Sequence, residues 1–236
     1  MNGVPSGRST ISLAEQAYQA IKDDILRCRL KPGSQVTEGR LCSVYPFGKA
    51  GVRTSMQRLS QEGLVTAIPR QGYQVSPVTA KDVMDLYSLR LLLEPAAARL
   101  AAGRVDKERL RQLDRMCSIG YDPSDAKSVE EFQSVNRSFH MLIAEAAGNP
   151  KLTRHLGNVI DEMHRFYYLG LTLPHVDHPR HESGHRRLVE ALEAGDPELA
   201  ERVSRESILA GERKCLDALL TLPELQAAQL TVPSSP

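Results

Sequence analysis

With 236 residues and 41% apolar content, the chain suits two modest domains, each with its own core, better than one. It has no Trp and 5% aromatics, so neither domain is expected to be a Trp-rich sandwich. The net charge of +1 hides an asymmetry: residues 1–78 carry three Lys and seven Arg against five acidic residues, net +5, and the remainder is net −4. A basic N-terminal portion ahead of a larger acidic one suggests that only the first meets a polyanion. Cys28, Cys42, Cys117 and Cys215 lie far apart, which favours free thiols in a reducing compartment over a disulfide framework or zinc ribbon. Residues Met1 to Thr10 lack an apolar h-region and no later run reaches membrane-spanning length, so a soluble, cytoplasmic protein is expected.

In chain order, Leu13, Ala17, Ile21 and Ile25 recur near helical spacing, so Ser12 to Arg29 reads as an amphipathic helix opened by a Ser cap. Leu30-Lys-Pro-Gly33 stops it. Thr37 precedes a short helix, Glu38 to Ser43, closed by Tyr45-Pro46. A third helix spans about 49–62, with Val52, Met56 and Leu59 on one side and Gly63 as its cap. Two extended runs, Leu64 to Ile68 and Tyr73 to Ser76, flank Pro69-Arg-Gln-Gly72 and read as a β-hairpin. Helix, short helix, helix and hairpin describe a winged helix-turn-helix over residues 1–78.

The third helix has the chemistry of a DNA reader. Its start, Gly48-Lys-Ala-Gly-Val-Arg-Thr-Ser55, is small and polar, and Lys49 and Arg53 lie four apart on one face. The candidate DNA contacts are Lys49, Arg53, Thr54 and Gln57 on this helix, with Arg70, Gln71 and Gly72 at the hairpin tip. A solvated helix face is the plain alternative for the two cations.

Residues 79–236 are expected to form an all-helical domain. Thr79 to Asp82 caps a long helix through Ala102, with Leu86, Leu89, Leu93 and Ala97 as its core stripe. Further helices are expected at about 105–117, 126–147, 150–170, 180–194 and 196–219. The result is an antiparallel six-helix bundle with a central cavity. The fold class is thus mainly α, a winged helix-turn-helix followed by this bundle. His181-Glu-Ser-Gly-His185 matches the H-E-x-x-H zincin pattern, which makes a zinc metallohydrolase built on His181, Glu182 and His185 the alternative function. Gly184 inside the motif and the missing apolar turn before it weaken that reading.

Several segments, in this order, resemble the GntR family of bacterial transcription regulators. Ala17 to Leu26, Leu30 to Gly33, Val52-Arg53, Leu59 to Val65 and the wing Arg70 to Val75 are similar to its DNA-binding domain. Leu86 to Arg90 with Glu94, Phe139-His140 before Ala147-Gly-Asn149, and His185 leading to Ala194-Gly-Asp196 resemble its FadR-type ligand domain, the six-helix, VanR-like FCD variant. The resemblance implies a homodimeric repressor that reads a palindromic operator in double-stranded DNA and is released by a small carboxylate effector. It places two cationic DNA contacts at Lys49 and Arg53. Pro46-Phe-Gly-Lys-Ala-Gly departs from the usual Gly-Val-Ser-Arg-Thr-Pro, and Lys49 in place of Arg loses a bidentate guanine contact. Many FadR-type domains hold a divalent metal, zinc or nickel, with one Asp and three His. The matching positions here are Asn136, His140, His185 and Ser207, so two of the four expected ligands are replaced and only His140 and His185 could ligate. Direct hydrogen bonding of the effector by this set is the other reading. Arg90 is the candidate anion clamp, with an ion pair to Glu94 at i+4 as its structural alternative.

Overall fold

The computed structural model describes residues 12–122, 124–171 and 185–220, and the chain divides into two compact units, Met1–Pro77 and Val78–Pro236. In the first unit, α1 (Leu13–Leu26) is capped by the Ser12 hydroxyl, which accepts from the Glu15 amide, and α2 (Glu38–Val44) by Thr37, which accepts from Arg40. The third helix, α3 (Gly48–Gln61), packs against α1 and α2. Tyr18, Ile21, Ile25, Leu41, Val52, Met56 and Leu59 form the core with Leu64, Val65 and Val75. Leu13, expected in the α1 stripe, is instead 68% exposed, because the buried face runs through Ala17, Tyr18, Ile21 and Ile25.

The hairpin pairs β2 (Val65–Ile68) with β3 (Gly72–Val75), Ile68 opposite Gly72. A strand that the sequence does not announce, β1 (Gln35–Val36), pairs antiparallel with β3 on its other side, giving the order β1-β3-β2. Two residues are too few to show alternation. Gly72 lies at φ +103°, and a Cβ there would sit 2.5 Å from the Val36 carbonyl oxygen and 3.1 Å from Thr37 Cα. Only glycine lets the wing strand come this close to the entry of α2.

The second unit contains six helices among the described residues: α4 (Ala80–Ala101), α5 (Lys107–Ile119), α6 (Ala126–Ala146), α7 (Pro150–Leu171), α8 (His185–Ala194) and α9 (Pro197–Leu220). They form the bundle, with short turns joining α6 to α7 and α8 to α9, so those neighbours run antiparallel. α4 is central, touching α6, α7 and α9, and opens with a reciprocal capping box between Thr79 and Asp82. Of the expected Leu86, Leu89, Leu93 and Ala97 stripe, Ala97 is buried and Leu86 and Leu93 pack half-buried at its edge, but Leu89 is 43% exposed, and the fully buried row is Val83, Tyr87, Arg90, Glu94, Ala97 or Ala98, and Ala101. The face is turned by one position so that it carries a charged pair inward. No helix among the described residues is long and apolar enough to cross a membrane.

Gly72→Ala is expected to destabilise the protein by at least about 1 kcal/mol, since the new methyl meets backbone at a positive φ. Urea unfolding of the full chain tests this; unchanged stability would mean that the wing does not press on β1.

Candidate functional site

The first candidate site is the outer face of α3 and the adjacent wing. Val52, Ser55, Met56 and Leu59 turn inward, which leaves Lys49, Arg53, Thr54 and Gln57 exposed on the opposite face. The helix starts on Phe47 without a side-chain cap, so its first amides are left to solvent or an anion. Arg53 does not project alone. Its Nε and Nη2 donate to Glu38 Oε1 and Oε2 at 3.0 and 2.9 Å, a two-bond pair from α3 to the first residue of α2. The hydrogen bond from Arg53 keeps the Glu38 carboxyl below its ordinary range.

The wing adds Arg70 and Gln71, both exposed. The Gln71 amide donates to the Ile68 carbonyl at 3.0 Å and closes the turn. Arg70 occupies the left-handed region at φ +63°, where a non-glycine residue costs of order 1 kcal/mol. The strain holds a cation at the tip. Gly72, grouped with the DNA contacts in the sequence, is half-buried against β1 and has a backbone role. Arg58, next on α3, belongs to the fold: its guanidinium lies 3.5 Å from the centroid of the Tyr18 ring and pairs with Glu15 at 2.7 Å.

The second candidate site lies inside the bundle. Glu94, Ala97, Ala98, His140, Ile143, Leu156, Leu188 and Ser204 line a cavity of about 10 Å³, room for roughly one water molecule. Glu94 is fully engaged. Its Oε1 accepts from Arg90 Nε at 2.5 Å, and its Oε2 faces His140 Nδ1 at 3.0 Å. Burial alone would push this carboxyl up, but Arg90 and then His140 hold it well below the usual range. Arg90 Nη1 also donates to the Tyr167 hydroxyl at 2.9 Å, Tyr167 meets the Tyr87 hydroxyl at 2.9 Å, and Tyr87 meets Cys215 Sγ at 2.9 Å. Burial raises the Tyr87, Tyr167 and Cys215 groups, so this end of the chain stays neutral.

His140 and His185 come together, ring centroids 5.4 Å apart and edge to face, with His185 stacked on Phe139 at 4.0 Å. Asn136 is half-buried one turn before His140, and Ser207 is half-buried one turn beyond cavity-lining Ser204. Arg90, the candidate clamp, is buried with its guanidinium on Glu94 and Tyr167. Glu38 and Ser204 are the residues that sequence reasoning passed over, whereas the Arg90–Glu94 ion pair is the structural alternative that the sequence offered. Glu94 was legible as an i+4 partner of Arg90, and Ser204 as a small polar residue one turn from Ser207. Glu38 is fifteen residues from Arg53 and left no periodic signal.

Residues 13–75 match the family described as bacterial regulatory proteins, gntR family, and residues 85–210, more than half of the chain, match the FCD domain. The chain belongs to the GntR family. It is 27% identical over 195 residues to the HTH-type transcriptional regulator YdhC of Bacillus subtilis, covering 79% of this chain and 84% of that one. It is 24% identical to the HTH-type transcriptional repressor GlaR of Escherichia coli, covering 81% and 90%. The fold is that of E. coli McbR/YncC, with a TM-score of 0.73 at 21% identity over 88% of this chain and 99% of that chain.

GntR regulators bind DNA, and this agrees with the two units, a winged helix and a helical FCD bundle. The metallohydrolase alternative gains no support: His181 and Glu182 lie outside the described residues, and His185 stacks on Phe139. The described donor set also falls short of the family's four-ligand metal. It offers two imidazoles with neutral Asn136 and Ser207, and no group of three His, Cys, Asp or Glu among the described residues could hold an ion.

Arg90→Ala would leave the Glu94 carboxylate buried without its main partner, at a cost of about 3–5 kcal/mol in urea unfolding. The folded carboxyl lies below its ordinary 4.5, so the pair's stabilisation is complete above that pH. It falls away only as the pH drops through the folded value. A variant as stable as the parent at neutral pH would show the pair to be dispensable. Asn136→Asp combined with Ser207→His adds an anionic ligand and an imidazole, and calorimetry should show a marked gain in zinc or nickel affinity. A folded double variant without that gain would mean that the four positions do not converge.

Proposed function

We propose that the chain is a homodimeric repressor whose α3 reads the major groove of a palindromic operator and whose bundle takes a small carboxylate effector. The observation that carries this reading is the exposed polar face of α3, where Lys49, Arg53, Thr54 and Gln57 stand beside a wing that holds Arg70 in a strained conformation. Small groups at Ala50 and Gly51 keep the start of α3 slim enough to enter a groove. The repressor relative GlaR supports the sign of regulation.

Dimerisation is supported by α4, which leaves Leu89, Leu92 and Leu100 exposed on one side. A single small reading head also gives too little discrimination for a genome, and two on a palindrome supply it. For the effector, the imidazoles of His140 and His185, the hydroxyls of Ser204 and Ser207 and the Asn136 amide are the donors, with Arg90 balancing Glu94 behind them. The cavity has room for about one water, so an organic acid can enter only if the surrounding helices move. That movement is the signal that releases DNA.

The test is binding of the full-length protein to DNA selected by it from a random library. Arg53→Ala should cost about 1–3 kcal/mol and relax preference at one base pair. Arg70→Ala should weaken all sequences about equally and reduce the salt slope by roughly one unit. Unchanged affinity of a folded Arg53→Ala at matched salt would remove α3 as the reader, and a base-selective loss at Arg70 would make the wing a base reader instead.

A further inference from the structure

Arg53 has two edges with which it can form paired hydrogen bonds, Nε with Nη2 and Nη1 with Nη2. Glu38 takes the first, through both of its oxygens. The remaining edge is the end of the guanidinium, the edge that fits guanine O6 and N7 end-on. Glu38 is itself held from two sides. Thr37 caps α2 with Glu38 as its first residue, and β1, which leads into Thr37, is paired with wing strand β3 through Val36 and Tyr73. Gly72 presses the wing backbone onto Val36 and Thr37 from the same direction. The Glu38 side chain is 22% exposed against 56% for Arg53, so the buttress is the more enclosed member of the pair. Lys49 on α3 is the other cation whose charge reaches this pair.

We propose that Glu38 is a specificity-determining positioning residue, which fixes Arg53 so that its end-on edge reads a guanine in the operator. A carboxylate facing a polyanion would otherwise only oppose binding. Here its charge is cancelled by Arg53, and it removes rotamers that would let Arg53 drift to a phosphate. In this arrangement the contact is a base contact, and Lys49 and Arg70 are left to carry the phosphate attraction.

The inference rests on the reading of α3 as the groove element, and one set of measurements separates the two. Full-length protein is titrated against its library-selected consensus DNA and against each single-base variant, at several salt concentrations. The parent should prefer guanine at one position of each half-site by roughly tenfold to a hundredfold. Glu38→Ala should lose most of that preference at the position where Arg53→Ala loses it, with the salt slope and the affinity for non-specific DNA retained. The double variant should lose nothing more. Glu38→Gln, whose one carbonyl oxygen still accepts an Arg53 N–H, should keep part of the preference, and it decides the matter if Glu38→Ala does not fold. If Glu38 variants keep the full guanine preference, or tighten all sequences equally, Glu38 is a bystander charge and the inference fails. If Arg53→Ala itself changes nothing, the groove reading fails with it.

Discussion

The buried Arg90–Glu94 pair is the constraint around which the helical bundle is organised. Two charges on the inner face of the central helix lose their hydration, a cost of several kcal/mol per ion that only dense compensation offsets. The compensation is visible. Glu94 has Arg90 on one oxygen and His140 on the other, and Arg90 reaches Tyr167, which continues to Tyr87 and Cys215. His140 then meets His185 edge to face. The connected groups sit on α4, α6, α7, α8 and α9, so five helices are indexed to one ion pair. Apolar packing alone would tolerate small slides between these helices. Directional bonds to a buried charge do not.

In the winged helix the corresponding constraint is backbone contact, since its sheet has only three short strands. Gly72 lets β3 approach the start of α2, β1 joins that strand to Thr37, and Thr37 caps the helix that begins with Glu38. Arg53 is attached to the end of this relay. The wing therefore does more than carry Arg70, because it also sets where an arginine on another element points. Below the surface, Tyr18 ties α1 to the end of α3 by donating to Glu62 at 2.7 Å, with Arg58 stacked on its ring.

Much of this was legible in the sequence because it depends on local signals. Ser12, Thr37 and Thr79 announce three helix starts by cap chemistry, and Gly63 and Gly148-Asn-Pro150 mark two ends. The exposed face of α3 followed from the burial of Val52, Met56 and Leu59 on its other side. What periodicity misjudged was the rotation of α4. Leu86, Leu89 and Leu93 form a regular apolar stripe, yet the helix turns Arg90 and Glu94 inward, because Tyr167 on α7 and His140 on α6 make burying that pair tolerable. A single-helix pattern cannot contain that information. The Glu38–Arg53 contact was hidden for the same reason, as was β1, whose two residues exist as a strand only by pairing with the wing.

The same charge balance limits what the bundle can bind. Glu94 is already neutralised by Arg90, so a divalent ion beside His140 would add two positive charges with neutral Asn136 and Ser207 as the nearest replacements for the family's ligands. In a medium where Coulomb energies are several times those in water, that imbalance opposes the two imidazole bonds. An acid effector entering instead would add one negative charge to a pair that is already balanced. It would be met by hydroxyl, amide and imidazole donors on α6, α8 and α9 and by the apolar walls of Ala97, Ile143, Leu156 and Leu188. Because Arg90 is already committed to Glu94 and Tyr167, the carboxylate would lack a full ion-pair partner, and more of the affinity has to come from burying apolar surface. On the proposed reading, the apolar walls of the cavity therefore favour a small effector whose carboxylate is joined to a hydrocarbon part.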